Sequence, residues 1–130
     1  MNTITKHYID GAFVESHGRE VMDINNPTNG RVIAKVTLAD EEDARRAIAA
    51  AKRAFAMYGR STKEERATIL RRLHEVVSAR VEDLTAAMVE EYGGPVGFSR
   101  VIVEAGANVF LAAEKALARY RGHATGARRR

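Results

Sequence analysis

The stretch from Ser61 to Pro95 constrains the fold most, because it contains the longest helical pattern in the chain. Ser61 followed three residues later by Glu64 predicts a capping box at its start. Gly93 and Gly94, followed by a proline, predict its end. Apolar residues recur between these signals at intervals of three and four, which places them on one helix face. They are Ile69, Leu70, Leu73, Val76, Val77, Val81, Leu84 and Met88.

The composition favours one small globular domain. A chain of 130 residues with 45% hydrophobic residues is long enough for a modest core. The chain contains no cysteine, which excludes disulfides, thiolate zinc sites and a thiol nucleophile within it. No uncharged apolar run approaches the roughly 20 residues of a membrane span, and residues 1–8 lack the apolar core of a signal peptide. We therefore expect a cytoplasmic protein without a membrane partner.

The net charge of +4 comes from the end of the chain. Residues 119–130 contain five arginines and no acidic residue, and the rest of the chain has 16 basic and 17 acidic residues, a net charge of −1. A folded nucleic-acid binder normally spreads basic residues over one face of its fold. Nucleic acid is therefore not expected as a partner.

The order of local patterns predicts an α+β fold, with N-terminal antiparallel β-hairpins followed by three to four packed amphipathic helices. Strand pairs are predicted over residues 6–15 and 20–36, with Asp10-Gly11 and a turn over residues 25–30 as connections. A helix over residues 40–57 starts at the N-cap Asp40. The Ser61–Pro95 stretch is expected to break near residues 78–80, with Ser78 as the second cap, and another helix follows Pro95.

Three segments follow from these patterns. Residues 1–5 are predicted to be a disordered N-terminus. Residues 6–118 are predicted to form the folded domain. Residues 119–130, which have neither helical periodicity nor caps, are predicted to be a disordered Arg-rich tail.

The residue chemistry indicates neither a catalytic nor a cofactor-binding residue. His7, His17, His74 and His123 lack ligand spacing with one another, whereas a metal site needs several converging groups. His74 is predicted to lie on a solvated helix face. The glycine-rich segment at residues 93–97 follows a predicted helix rather than a buried strand and includes a proline, so helix termination is favoured over phosphate binding.

Five motifs, in order along the chain, resemble the N-terminal segment of the NAD(P)-dependent aldehyde dehydrogenase superfamily. They consist of a first hairpin, an Asn-Pro-x-x-Gly strand pair, an Ala-rich helix, an Arg-rich helix and an acid-x-Gly-x-Pro segment. In this sequence they are Tyr-Ile-Asp-Gly-Ala-Phe-Val at residues 8–14, Asn-Pro-Thr-Asn-Gly-Arg-Val-Ile-Ala-Lys-Val at 26–36, the helix at 40–57, Thr-Lys-Glu-Glu-Arg-Ala-Thr-Ile-Leu-Arg-Arg-Leu at 62–73, and Glu-Tyr-Gly-Gly-Pro at 91–95.

The resemblance implies a truncated member of a family of much longer enzymes. Those enzymes oxidise aldehydes to carboxylic acids with NAD(P)⁺, using a cysteine nucleophile and a glutamate that activates water. Their catalytic and cofactor-contacting residues lie downstream of the resembling region. The resemblance therefore implies NAD(P) as the cofactor of the full-length family, and neither a cofactor nor activity for this chain alone.

One family feature has matching residues in this sequence. In some members a monovalent cation lies near the Asn-Pro turn, held by two backbone carbonyls and an acidic side chain. The corresponding positions are Ile24, Asn25 and Glu91, and oxygen ligands suit a hard cation. The alternative is that Glu91 only faces solvent near a helix end.

Two other functions remain open from the sequence. The chain is either a non-catalytic interaction module that pairs with another chain, such as the remainder of a dehydrogenase or a second copy, or a protein that binds anionic partners through its arginines. If these helices normally pack on a cofactor domain, apolar side chains such as Ile102, Val109 and Leu117 lose cover without it, so marginal stability or aggregation is expected.

Overall fold

Five short strands and then four helices follow one another along residues 2–120, the part of the chain that this computed structural model describes. This order confirms the predicted α+β fold. The strands are β1 (Asn2–Ile4), β2 (Lys6–Ile9), β3 (Ala12–Glu15), β4 (Val21–Asn25) and β5 (Val32–Thr37), and the helices are α1 (Glu41–Tyr58), α2 (Lys63–Ser78), α3 (Val81–Tyr92) and α4 (Val96–Arg119).

The first hairpin forms as the sequence predicts. β2 and β3 pair antiparallel around Asp10 and Gly11, which both adopt positive φ angles of 57° and 79°. A two-residue turn with this backbone matches the twist of the two strands. Tyr8 pairs with Phe13 across the hairpin, and their rings meet edge to face with centroids 5.2 Å apart.

The second strand pair, β4 and β5, belongs to a three-stranded sheet in the order β1-β5-β4. β4 and β5 pair antiparallel, with a register shift between Ile24 and Asn25. β1 lies on the other edge of β5 and runs parallel to it. The prediction of a disordered segment at residues 1–5 is therefore wrong for Asn2–Ile4. A three-residue strand is too short to show alternation, and its partner lies about thirty residues away in the chain.

Helix α1 begins at the predicted N-cap. The Asp40 carboxylate accepts hydrogen bonds from the backbone N–H groups of Glu42 and Asp43, at 3.0 and 3.1 Å. Asp43 accepts in return from the Asp40 N–H, which completes a capping box. The helix ends at Tyr58, one residue beyond the predicted limit.

The start of α2 differs from the prediction by one residue. The N-cap is Thr62 rather than Ser61, and its partner in the capping box is Glu65 rather than Glu64. Thr62 Oγ1 accepts from the Glu65 N–H at 3.1 Å, and Glu65 Oε2 accepts from the Thr62 N–H at 2.7 Å. The Ser61 hydroxyl instead donates to the carbonyl oxygen of Tyr58 at 2.6 Å, where the chain leaves α1.

The predicted break between α2 and α3 is present, but Ser78 does not cap the second helix. Ser78 is the last residue of α2, and Arg80 precedes α3 without a side-chain cap. α3 ends at Gly93, whose φ of 75° lies in the left-handed region as predicted. A Cβ atom at Gly93 would lie 2.7 Å from Thr28 Oγ1 and 2.9 Å from Pro27 Cγ. The turn after β4 therefore sits directly against the end of α3.

Helices α2 and α3 both pack against α4. Ala107 of α4 is 2% exposed, and His74 of α2 reaches its carbonyl oxygen through Nδ1 at 3.1 Å. The predicted solvated position of His74 is therefore wrong, because this partly buried ring lies between two helices. α4 ends at Arg119, one residue beyond the predicted domain boundary. The rest of the predicted tail, residues 121–130, lies outside the described residues.

The described part of the chain contains almost no hydrophobic core. Ala50 and Ala107 are the only buried hydrophobic residues that residues 3–120 contain. Large hydrophobic side chains are exposed instead, among them Phe13 and Phe55, at 71% and 70%. The strands and helices are thus formed, but most of their hydrophobic side chains are not buried.

Candidate functional site

The most highly organised polar cluster lies where the first hairpin meets the start of α1. At its centre is the carboxylate of Asp43, whose side chain is 1% exposed. Oδ2 accepts from the N–H groups of His17 and Gly18, both at 3.0 Å. The Ser16 hydroxyl also donates to Oδ2, at 3.0 Å. We call this cluster the Asp43 junction, formed by residues 16–18 and Asp43.

The junction keeps Asp43 ionised. The backbone N–H groups of Gly18 and His17 hold the pKa of the Asp43 carboxyl well below its usual range, because they stabilise the charged form more than burial destabilises it. A hydrogen bond from His17 also lowers the pKa of Asp40. His17 Nδ1 lies 2.6 Å from Asp40 Oδ2. Both acidic residues of the α1 capping box are thus tied to the chain that follows β3.

His7, Ser16 and Asp43 are the residue types of a hydrolytic triad, but their arrangement differs from one. In a triad the imidazole lies between the hydroxyl and the carboxylate and removes the hydroxyl proton. Here Ser16 donates directly to Asp43, and His7 Nε2 lies 3.0 Å from Ser16 Oγ and 3.8 Å from Asp43 Oδ2, so the imidazole does not separate the two. Ser16 is also only 6% exposed. The junction therefore anchors the hairpin to α1 and does not activate a nucleophile.

Sequence reasoning missed the Asp43 junction. It considered His7 and His17 only as metal ligands, and it connected neither residue with Ser16 or Asp43. The one local signal was the Asp-x-x-Asp spacing of Asp40 and Asp43, a variant of the capping box. The remaining donors lie more than twenty residues earlier in the chain.

The predicted cation ligands lie on two neighbouring elements. Ile24 and Asn25 end β4 at the register shift, and Glu91 is an exposed residue in the last turn of α3. The contact between Gly93 and the turn after β4 brings these two elements against each other. Residues 2–120 contain no group of three or more His, Cys, Asp or Glu side chains that could hold a metal ion. The cation site, with two carbonyl ligands, stays a prediction.

Exposed apolar side chains form the largest remaining feature. α1 presents Ile48 and Phe55 to solvent, 67% and 70% exposed, and α4 presents Val109, 62% exposed. A groove of about 470 Å³ runs between α2 and α4. Its lining includes Tyr58 and Leu73. Exposed apolar surface of this extent is typical of interaction sites.

Helix α4 also meets the length and composition of a membrane span. Its mean hydropathy reaches 1.4 over 18 residues, of which 11% are buried. Core helices of water-soluble proteins meet the same criteria. The helix also contains an ion pair between Arg100 and Glu104, at 3.0 Å. Arg100 further contacts Glu82 of α3 at 2.6 Å, so one side of α4 is polar.

Comparisons with known proteins agree in sequence and in structure. The model of the aldehyde dehydrogenase family matches residues 13–129. A putative aldehyde dehydrogenase from Staphylococcus aureus is 34% identical over 121 residues, which cover 92% of this chain and 26% of that protein. The chain thus spans about a quarter of the length of the curated relatives that it matches, in their N-terminal part.

Solved structures show the same relationship. The crystal structure of lactaldehyde dehydrogenase from Escherichia coli matches with a TM-score of 0.88 and 31% identity, covering 100% of this chain and 27% of that one. A mutant aldehyde dehydrogenase from Pseudomonas syringae, complexed with NAD⁺ and octanal, matches with a TM-score of 0.86 and 33% identity, covering 90% and 24%. The hairpins and helices described above are therefore the N-terminal portion of this fold, and the chain belongs to the aldehyde dehydrogenase family.

Proposed function

We propose that this chain forms the N-terminal layer of an NAD(P)-dependent aldehyde dehydrogenase, which oxidises aldehydes to carboxylic acids, and that it supplies the scaffold rather than the reacting groups. The observation that carries this proposal is a family fold whose large apolar side chains stay exposed, such as Phe55 and Val109, at 70% and 62%. Such a surface is expected of a layer that packs on further polypeptide.

The nicotinamide cofactor does not fit the residues of this chain. A dinucleotide site of the usual kind is built on parallel strands joined by a helix, with a glycine-rich turn after the first strand. Among residues 2–120, the one parallel pair is β1 with β5, and two hairpin strands and β4 lie between them in the chain. The glycines at 93 and 94 follow a helix. Cofactor binding is therefore assigned to other polypeptide.

The same reasoning applies to catalysis. The family's nucleophile is a cysteine, and this sequence has none. The Asp43 carboxylate is engaged by hydrogen bonds within the fold, and Ser16 is buried. We therefore propose that the 130-residue chain does not oxidise aldehydes alone. Its contribution is to hold α1 and α4 at fixed positions against a catalytic body.

A chimera tests this proposal. Residues 2–118 replace the matching segment of the Escherichia coli lactaldehyde dehydrogenase, and NADH formation with an aldehyde is followed at 340 nm. We expect a soluble chimera with measurable activity and no activity from this chain alone. A deletion of the same segment is the control and is expected to be insoluble. A soluble, folded chimera without activity contradicts the proposal, as does aldehyde oxidation by the chain alone.

A second function, a non-catalytic module that pairs with a separate chain, is favoured by the exposed side chains of Phe55 and Val109. The partner is either the remainder of a dehydrogenase made separately or a second copy of this chain. Size-exclusion chromatography with light scattering distinguishes them, since a second copy gives a concentration-dependent dimer. A chain that is monomeric and poorly folded, and with which no partner is recovered, contradicts both forms of this function. Binding of anions through the terminal arginines involves residues outside the described part and stays a prediction.

A further inference from the structure

We draw no further inference here: the strongest candidate, the apolar groove of about 470 Å³ between α2 and α4 that Tyr58, Ile69, Leu73 and Leu117 line, is an unpartnered surface, and nothing in the structure shows what covers it.

Discussion

Different interactions hold together the two parts of the molecule, which are the first hairpin with α1 and the three helices α2 to α4. The hairpin and α1 meet at the Asp43 junction, where one buried carboxylate accepts several directional hydrogen bonds. Helices α2, α3 and α4 meet through small and apolar side chains around Ala107, with His74 as a polar contact. A polar junction concentrates its stabilisation in one residue, whereas helix packing distributes it over many. The two parts should therefore respond differently to single substitutions.

The largest expected effect is the loss of the Asp43 junction in Asp43→Ala. The N–H groups of His17 and Gly18 and the Ser16 hydroxyl lose their acceptor together. In the chimera, hydrogen exchange of the peptide covering residues 12–20 should accelerate by about tenfold to a hundredfold. This is the factor by which the loss of one hydrogen bond to a charged group shifts the equilibrium towards local opening. Glu41→Ala, an exposed acid in the same turn, is the control. Unchanged exchange in Asp43→Ala contradicts the assigned role.

The pH dependence of the junction follows from its lowered pKa. Because the pKa of Asp43 is depressed in the folded state, its contribution is complete above the ordinary aspartate value of about 3.9. The contribution is lost only as the pH falls below that value through the folded pKa. Slow exchange of residues 12–20 should therefore persist from pH 7 to pH 4. In Asp43→Asn the exchange, corrected for intrinsic rates, should be fast at every pH in this range, and it should lack the further acceleration below pH 4 because asparagine does not titrate.

Gly93→Ala tests the contact between the end of α3 and the turn after β4. An alanine there must keep a φ of 75°, and its Cβ would overlap Thr28 and Pro27. The left-handed backbone alone costs about 1–2 kcal/mol, and the overlap adds to it. Gly106→Ala, with nothing within 4 Å of its Cβ position in α4, should instead stabilise the chain by about 0.5–1 kcal/mol. Denaturant midpoints measure both, and equal effects would contradict the proposed contact.

A smaller effect distinguishes the two possible caps of α2. Thr62→Ala removes the hydroxyl that accepts from Glu65 and should lower the free energy of unfolding by about 1 kcal/mol. Ser61→Ala removes a hydroxyl that contacts the end of α1 and should cost less. Urea denaturation followed by circular dichroism gives the ranking. The reverse order would restore Ser61 as the cap.

The smallest effect on the chain alone is expected at the exposed apolar faces. Phe55→Ser alters a side chain that is 70% exposed, so it should change the stability of the free chain by no more than about 0.5 kcal/mol. It should also reduce self-association, measured by light scattering. In the chimera the same substitution should destabilise by about 1.5–3 kcal/mol, since the side chain is expected to be buried there. Lys52→Ser is the control, and a chimera insensitive to Phe55→Ser would contradict its burial.

Local signals were sufficient for much of the fold. The Asp10-Gly11 turn, the Asp40 cap, the break after α2 and the left-handed Gly93 all follow from side chains acting on nearby backbone. The one-residue error at Thr62 arose because two adjacent hydroxyls each precede a glutamate by three residues. Only the backbone path after α1 selects between them.

Long-range contacts account for what sequence reasoning missed. β1 exists because β5 offers it a free edge, and His74 is partly buried because Ala107, 33 residues later, lies opposite. Likewise, the donors to Asp43 come from residues 16–18. No periodicity or short motif reports such contacts, because they depend on where separately formed elements meet.

The sequence by itself determined β2 to β5 and the four helices to within a few residues, their apolar faces and the family, since each depends on local backbone preference or on motifs in order. The tertiary structure alone decided how the elements are joined and how little they bury. Burial depends on the summed surface that neighbouring elements remove from water, and here residues 3–120 bury only Ala50 and Ala107 among their hydrophobic residues. That deficit is the physical basis of the proposal that the chain forms one layer of a larger enzyme.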